Sequence, residues 1–372
     1  MVVLSQECCR DIYKSHFPHP FMIFGIDIGG ANIKLTQLNS EDNRLEVTPI
    51  SYPFLGKGKM IEDLIFSIRN PDVVVVTQTL CISRQLFSSA REGTHYIIDV
   101  TERLFGDRVR YLGLSYNLYT ASEAREHYLK VACRNWVATC FLASYLNLFE
   151  DGLVIDCGTN STDIVPVLNC TPVTLDDNDQ AYTRFKTGEL LWSGLYFTHV
   201  LSITNTVLLD GDEYQVRANA NALSSDFYAV LRIISPETIA STYSHRFDIG
   251  KSFETSTQRI LDLIVADREL LGANDARKIA CYLAEKQREK TLKAIKKVLA
   301  ATKKKFKIDL KTVGLAGAGK DIIVRKALED EDLDIIDLEK EVSEAFDLKD
   351  SAPNCETSLG CALLGMEACK KT

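Results

Sequence analysis

Two stretches of this chain repeat one pattern. Gly25-Ile26-Asp27-Ile28-Gly29-Gly30-Ala31-Asn32-Ile33-Lys34 and Val154-Ile155-Asp156-Cys157-Gly158-Thr159-Asn160-Ser161-Thr162-Asp163-Ile164 each run from an apolar strand through an aspartate and a small polar turn into a second apolar strand. Such a pattern predicts a tight antiparallel hairpin, because small residues in the turn let the backbone reverse and let its N–H groups come close to an anion. The aspartate falls near the end of the first strand in both copies. Two such hairpins facing each other hold a phosphate chain and its magnesium ion from both sides, so the repeat places the chemistry before anything else is known.

The rest of the chain supplies two α/β halves for these hairpins. In the first, strands are expected at 23–28 and 33–38, followed by the β-branched run Asp72-Val73-Val74-Val75-Val76-Thr77, which reads as a strand covered on both faces. Helices are expected near 84–92, 94–105 and 120–149. The second half opens with strands at 153–155 and 164–168, where Pro166 suits an edge or a bulge better than a ladder centre. It continues with a long helical stretch from 254 to 306, a strand at 312–315, a glycine turn, a helix at 320–329, a strand at 334–338 and a terminal helix from 356. Residues 1–21 read as an extension, 22–150 as the first domain and 151–372 as the second. Two halves built alike predict a ligand cleft between them and closure of that cleft as the motion.

Other function classes are disfavoured by composition and spacing. The net charge of −8 argues against a nucleic-acid surface, and the lysines of 286–307 leave Leu292, Ile295, Leu299 and Phe306 on one helical face, as in a solvated amphipathic helix. The eleven cysteines include no C-x-x-C, and most sit among apolar residues, so they read as reduced buried thiols. Cys157 is expected to turn its thiol away from the ligand. No run approaches the length of a membrane span, and a cytoplasmic location is expected. Gly314-Leu315-Ala316-Gly317-Ala318-Gly319-Lys320 has P-loop spacing, yet Asp321 stands where that motif needs Ser or Thr for magnesium. The same glycines suit a turn that borders a flat nucleoside.

Hairpin, hairpin and glycine turn, in that order, resemble the phosphate-1, phosphate-2 and adenosine motifs of the actin, sugar kinase and Hsp70 ATPase superfamily. The resemblance implies an α/β fold of two RNase H-like domains related by duplication, with the ligand in the cleft between them. It also implies that Asp27 and Asp156 organise magnesium and act in catalysis with Lys34, whose ammonium would meet a phosphate. Gly29, Gly30, Asn32, Gly158, Thr159, Asn160 and Thr162 would line the phosphates, and Gly317 and Gly319 would border the nucleoside. Either ATP or the diphosphate of a substrate would occupy the site, so the expected partner is a phosphorylated small molecule, with homo-oligomerisation left open.

Intervening segments narrow the resemblance. Val131-Ala132-Cys133-Arg134-Asn135-Trp136-Val137-Ala138-Thr139-Cys140 is similar to A-A-x-N-W-x-A-T-A, Thr162-Asp163-Ile164-Val165-Pro166-Val167 to T-T-D-I-I-P-I, and Thr187-Gly188-Glu189-Leu190-Leu191-Trp192-Ser193-Gly194 to T-G-E-L-x-Y-x-G. These motifs resemble the hydantoinase A/oxoprolinase-like branch, in its subgroup of tetrahydromethanopterin-linked C1 transfer proteins. That subgroup includes an archaeal synthase that joins an aminomethylfuran diphosphate to γ-glutamyltyramine in methanofuran synthesis. The implied reaction is an alkyl transfer that releases diphosphate and needs a base for a phenol, with Asp163 and Glu189 as candidates. Both also fit structural roles, as a turn cap and a helix-start carboxylate. Two other readings stay open: an ATP-dependent cyclic-amide hydrolase, and a nucleotide-binding protein without turnover. The chain departs from its relatives at Phe197-Thr198-His199, where R-T-P is usual, at Trp192 in place of tyrosine, and at 77–83, which lacks their acidic stretch. Trp136 reads as packing, His199 as a surface or satisfied histidine, and Lys320 as pointing to solvent.

Overall fold

The computed structural model describes residues 21–41, 44–53, 68, 70–243, 250–348 and 354–370. Apart from Phe21, the expected N-terminal extension lies outside them. In the first half, β1 (Met22–Ile28), β2 (Asn32–Glu41), β3 (Arg44–Pro53), β4 (Val73–Gln78), β5 (Val109–Leu112) and β6 (Leu118–Tyr119) form one sheet in the order β3-β2-β1-β4-β5-β6. In the second half are β7 (Gly152–Cys157), β8 (Thr162–Leu168), β9 (Thr171–Pro172), β10 (Leu190–Leu191), β11 (Thr206–Leu209), β12 (Asp212–Gln215), β13 (Thr312–Ala316) and β14 (Asp334–Asp337). Of these, β10-β8-β7-β13-β14 form the second sheet, β9 pairs with β8, and β11 and β12 make a separate hairpin. Each repeated hairpin has the same surroundings: β1 pairs antiparallel with β2 and parallel with β4, and β7 pairs antiparallel with β8 and parallel with β13.

Strand alternation explains the layers. Val74 and Val76 point to one face of the first sheet and pack with Ile97 and Ile98 of the helix Ala90–Phe105. Val75 points to the other face and joins a core shared with Val154 and Val165 of the second sheet. Leu153 and Ile155 turn outward to Ile279, Leu283, Ile295 and Val298 of the long helix Ala273–Phe306. Each of these fully buried Ile or Leu side chains contributes roughly 1.5–3 kcal/mol. Between the sheets run the helices Asn135–Tyr145 and Glu356–Cys369, both apolar almost all round. Glycines permit their close approach: a Cβ on Gly25 of β1 would lie 1.9 Å from the carbonyl oxygen of Ser358, and one on Gly360 would lie 2.2 Å from that of Ala138. The C-terminal helix is therefore wedged against the first sheet, although it follows the second in sequence.

Several expected elements have other bounds. The stretch 84–92 is turn until Ser89 caps the helix that starts at Ala90, its side chain accepting from the N–H of Glu92. The helical stretch 120–149 breaks into Ala121–Glu126, Tyr128–Val131 and Asn135–Tyr145, with Cys133 at φ +56° in the last break. The stretch 254–306 divides into Phe253–Leu261 and Ala273–Phe306, and 320–329 opens as a π-type turn over Lys320–Arg325. Pro166 does not lie on the expected edge strand, since β8 pairs with β7 on one side and with β9 and β10 on the other. Ile164 donates outward to Glu189 O, and Pro166 O accepts outward from Val173 N, so residues of this parity turn their backbone groups away from β7 and the missing N–H removes no bond to β7. Among the described residues no helix is long and apolar enough to cross a membrane.

Candidate functional site

The two hairpins carry the same turn at the same register. Gly29 N–H donates to Asn32 O at 2.9 Å in the first, and Gly158 N–H to Ser161 O at 2.9 Å in the second. Across the strands, Asp27 lies opposite Lys34, and Asp156 lies opposite Asp163. One position thus carries a cation in the first copy and a carboxylate in the second. The residues that follow the T-G-E-L-L-W-S-G segment buttress the second turn: Leu195 N–H donates to Gly158 O, and the N–H groups of Tyr196 and Phe197 donate to Thr159 O. Only glycine fits at 194, where a Cβ would come within 2.7 Å of Asn160 N.

Both turns open onto a cavity of about 320 Å³, within the range of small-molecule sites. Asp27, Gly29, Gly30, Asn32, Lys34, Asp156, Gly158, Thr159, Asn160 and Asp163, all expected from the sequence, line it. Lys34 Nζ is 3.8 Å from Asp27 Oδ2. Burial pushes the Asp27 carboxyl up to about 6, with Lys34 pulling it down and Asp156 and Asp163 pushing it further up. Burial opposes the Lys34 charge, but Asp27, Asp156, Glu356 and Cys355 together outweigh it and hold the ammonium above its ordinary range. Asp27 Oδ1 is buried without a hydrogen-bond partner. Asp156 Oδ2 accepts from Thr139 Oγ1 at 3.0 Å, and Thr139 is in turn 3.2 Å from Thr357 Oγ1 on the C-terminal helix.

Other expected residues lie beside the cavity rather than on it. Glu189 is buried with its Oε1 on Leu175 N and its Oε2 on Thr187 Oγ1, so its carboxylate holds the local chain. Thr162 directs its hydroxyl to Ser193 O and Cys157 Sγ. Gly317 and Gly319 are not among the lining residues, whereas Ala318 between them is. Gly317 sits at φ +84°, and a Cβ there would lie 2.5 Å from both Asp156 Oδ1 and Cys157 O. Gly319 leaves room for the Cys157 thiol, which burial pushes up to about 12 and which is inert packing, as expected. Lys320 departs from its expectation: it is buried in an ion-pair cluster with Glu339, Asp337 and Asp321. Trp136 is core packing, and His199 accepts from Leu201 N at the start of a short turn. Of the departures, Trp192 lines the cavity and Phe197 is buried next to Tyr196.

Sequence reasoning missed two charged groups. Arg184 is 3% exposed, lines the cavity, stacks 4.1 Å from the Trp136 ring and donates to Asp163 Oδ1 at 2.8 Å and to Glu189 O at 3.0 Å. Its Nε–H is buried without an acceptor. Burial raises Asp163, and the Arg184 charge and an Asn135 hydrogen bond oppose that rise. Glu356 begins the C-terminal helix, with Oε1 buried and unpartnered; burial, then Asp156, push it up to about 7 against Lys34. Only tertiary packing brings either residue here. An arginine in the short helix Ala181–Thr187 looks like any surface residue, and Glu356 lies 200 positions beyond the Asp156 it faces.

No family model matches the sequence. The chain is 28% identical over 304 residues, 81% of its length and 87% of the relative's, to the (4-{4-[2-(gamma-L-glutamylamino)ethyl]phenoxymethyl}furan-2-yl)methanamine synthase of Methanocaldococcus jannaschii. Among solved structures it resembles a nucleotide-free acetone carboxylase, with a TM-score of 0.56 and 9% identity over 92% of this chain and 70% of the other. An archaeal actin homologue aligns over 93% of this chain and 99% of its own, with a TM-score of 0.43 and 11% identity. With the paired hairpins and the two sheets described above, the chain has the α/β fold expected from its sequence and shares that fold with the acetone carboxylase, and its sequence is similar to an enzyme named as a synthase.

Proposed function

We propose that this protein is a magnesium-dependent transferase that joins the furfuryl carbon of an aminomethylfuran diphosphate to the phenol oxygen of γ-glutamyltyramine and releases diphosphate. The observation that carries this reading is the convergence of two glycine-rich turns, Lys34 and the pair Asp27 and Asp156 on one cavity, in a chain similar to such a synthase over most of its length. In the reaction the bond between the furfuryl carbon and the diphosphate oxygen breaks, its electron pair leaves with diphosphate, and a bond from that carbon to the phenol oxygen forms. Lys34 and the turn N–H groups hold the phosphates and meet the charge that develops on them.

The donor set fits magnesium. Asp27 Oδ1 is buried with no partner, and Asp156 offers a second carboxylate, while among the described residues no three His, Cys, Asp or Glu side chains form a complete metal cage. Magnesium is commonly held by one or two carboxylates, with phosphate and water completing its octahedron. Bound there, the ion would neutralise charge on the leaving diphosphate. The phenol proton needs an acceptor, since its ordinary pKa is about 10. Asp163 is on the cavity wall for this role, and Glu189 is engaged elsewhere.

The test is incubation with magnesium, an aminomethylfuran diphosphate and γ-glutamyltyramine while phosphate and diphosphate are followed. Diphosphate released only when both organic substrates are present supports the transferase. ATP hydrolysis stimulated by a cyclic amide, without that release, overturns it. Asp27→Asn and Asp156→Asn should each abolish magnesium-dependent diphosphate binding, and unchanged binding in both would remove the cleft assignment.

A further inference from the structure

We infer that Cys81 and Cys133 form a redox-modification site on the cavity wall: a small peroxide that enters the cavity oxidises Cys133, and Cys81 then closes a disulfide with it. The inference does not depend on the transferase reading. The two sulfurs come from segments 52 positions apart in sequence, yet they lie 4.0 Å from each other and share a hydrogen bond. Cys133 is partly exposed and lines the cavity, so a solute there reaches its thiol. Cys81 is fully buried in the short turn Leu80–Ile82 that follows β4, and its neighbours Ile82 and, two positions earlier, Thr79 also line the cavity. The backbone pins both residues. Cys133 sits at φ +56°, a left-handed conformation that glycine or asparagine adopts more readily than cysteine. Its N–H donates to Gln78 O at 2.9 Å, and its carbonyl accepts from Trp136 Nε1 at 2.9 Å. Cys81 packs so closely on the helix Ala90–Phe105 that a Cβ on Gly93 would lie 2.6 Å from its Cα. An unfavourable backbone is thus held in place around a thiol that meets a second thiol.

The chemistry balances with hydrogen peroxide as the oxidant. Loss of one proton from the pair leaves a thiolate that accepts from the remaining thiol; this hydrogen bond holds Cys81 below its ordinary range against its burial, while Cys133 keeps the proton. Transfer of that proton across the hydrogen bond moves the charge to Cys133, the sulfur that faces the cavity. The Cys133 thiolate attacks one peroxide oxygen, the O–O bond breaks, and Cys133 sulfenic acid and hydroxide result. The Cys81 sulfur then attacks the Cys133 sulfur, the S–O bond breaks, and the Cys81 proton leaves with the hydroxyl group as water. Two electrons pass from the sulfurs to the peroxide. The sulfurs must close from 4.0 Å to about 2.05 Å, and the new bond fastens the turn after β4 to the chain that leads into Asn135. Both of these segments are cavity wall, so the mobility of the wall becomes dependent on the redox state.

The test treats the folded, full-length protein with an excess of hydrogen peroxide, alkylates the remaining free thiols after denaturation, and maps the digested peptides by mass spectrometry. Cys81 and Cys133 should appear in one cross-linked peptide, lighter by two hydrogens than its two parts, and dithiothreitol should separate them. Exposed Cys281 shows that the oxidant was present, because it should be oxidised without joining either of them. In Cys81→Ser, Cys133 should stop at the sulfenic acid and be trapped by dimedone, whereas in Cys133→Ser the buried Cys81 should stay a free thiol. Backbone hydrogen exchange at 79–82 and 133–135 should be slower in the oxidised wild type than in the reduced protein. Full alkylation of both cysteines after Cys281 has been oxidised would overturn the site. So would conversion of wild-type Cys133 to sulfinic acid without a cross-link, or a disulfide from either residue to another cysteine. These three outcomes are read in the wild type, so the proposal stays falsifiable if a serine variant fails to fold. A disulfide that forms without slowing exchange in the two segments would overturn its effect on the wall.

Discussion

Asp27 and Glu356 are expensive residues for the ligand-free protein, and the direction of that cost can be worked out. Burial lifts Asp27 from an ordinary 3.8 to about 6 and Glu356 from 4.5 to about 7. The folded protein therefore binds these protons more tightly than the unfolded chain does, so their contribution to stability is present below about pH 4 and is lost as pH rises through 6 and 7. For Glu356 the loss is on the order of 3 kcal/mol. Glu356→Gln, which mimics the protonated form, should raise the melting temperature of the ligand-free protein by a few degrees at pH 7.5 and leave it nearly unchanged at pH 4. Thermal melts at the two pH values check this, and a lower melting temperature at pH 7.5 would mean that Glu356 is instead held by a favourable interaction with Lys34. Retention of two such carboxylates at a stability cost is the pattern expected where function opposes folding.

At the scale of elements, what was legible in the sequence was whatever is written locally. The hairpins announced themselves because aspartate, glycine and alternating apolar residues fall within ten positions, and β4 because four valines run together. The break at Cys133 was not legible, since a left-handed cysteine has no local signal, and neither was the wedge of Glu356–Cys369 between the sheets. That helix reaches its place through glycines whose purpose is visible only when Ser358 and Ala138 approach them. The wedge makes a sharp prediction. Gly360→Val puts a side chain into the Ala138 carbonyl and must push the helix off Asn135–Tyr145, which also displaces Thr357 from Thr139 and loosens Asp156. We expect a loss of several kcal/mol, with the variant unfolding well below the wild type in urea or failing to accumulate as folded protein. By contrast, Gly30→Ala has open space around the added methyl and should melt within a degree of the wild type. If the two variants prove equally stable, the packing between the sheets is not as described.

Across the whole molecule, the transferase proposed above would have charge balance tie the two halves together through magnesium and diphosphate. Asp163 is matched by Arg184, and Lys34 faces Asp27, Asp156 and Glu356, so the phosphate end of the cavity carries more negative than positive charge when all are ionised. A diphosphate brings further negative charge into that end and is repelled unless a divalent cation enters with it. Magnesium alone would be held by Asp27 and Asp156 without the phosphate oxygens that neutralise it. On that proposal each ligand would complete the site for the other, and the coupling would be reciprocal: magnesium should tighten diphosphate by the same factor by which diphosphate tightens magnesium. We expect a factor of ten or more, read by calorimetric titration of each ligand with and without the other. Because the hairpins sit on different sheets, the same pair of ligands should slow backbone hydrogen exchange at 29–32 and 158–161 together, and at 195–197, whose N–H groups are bonded to the second turn. Diphosphate without magnesium should protect neither turn fully. Protection of one turn alone, or affinities that do not depend on the partner ligand, would mean that the two halves do not grip a common anion, however alike their hairpins are.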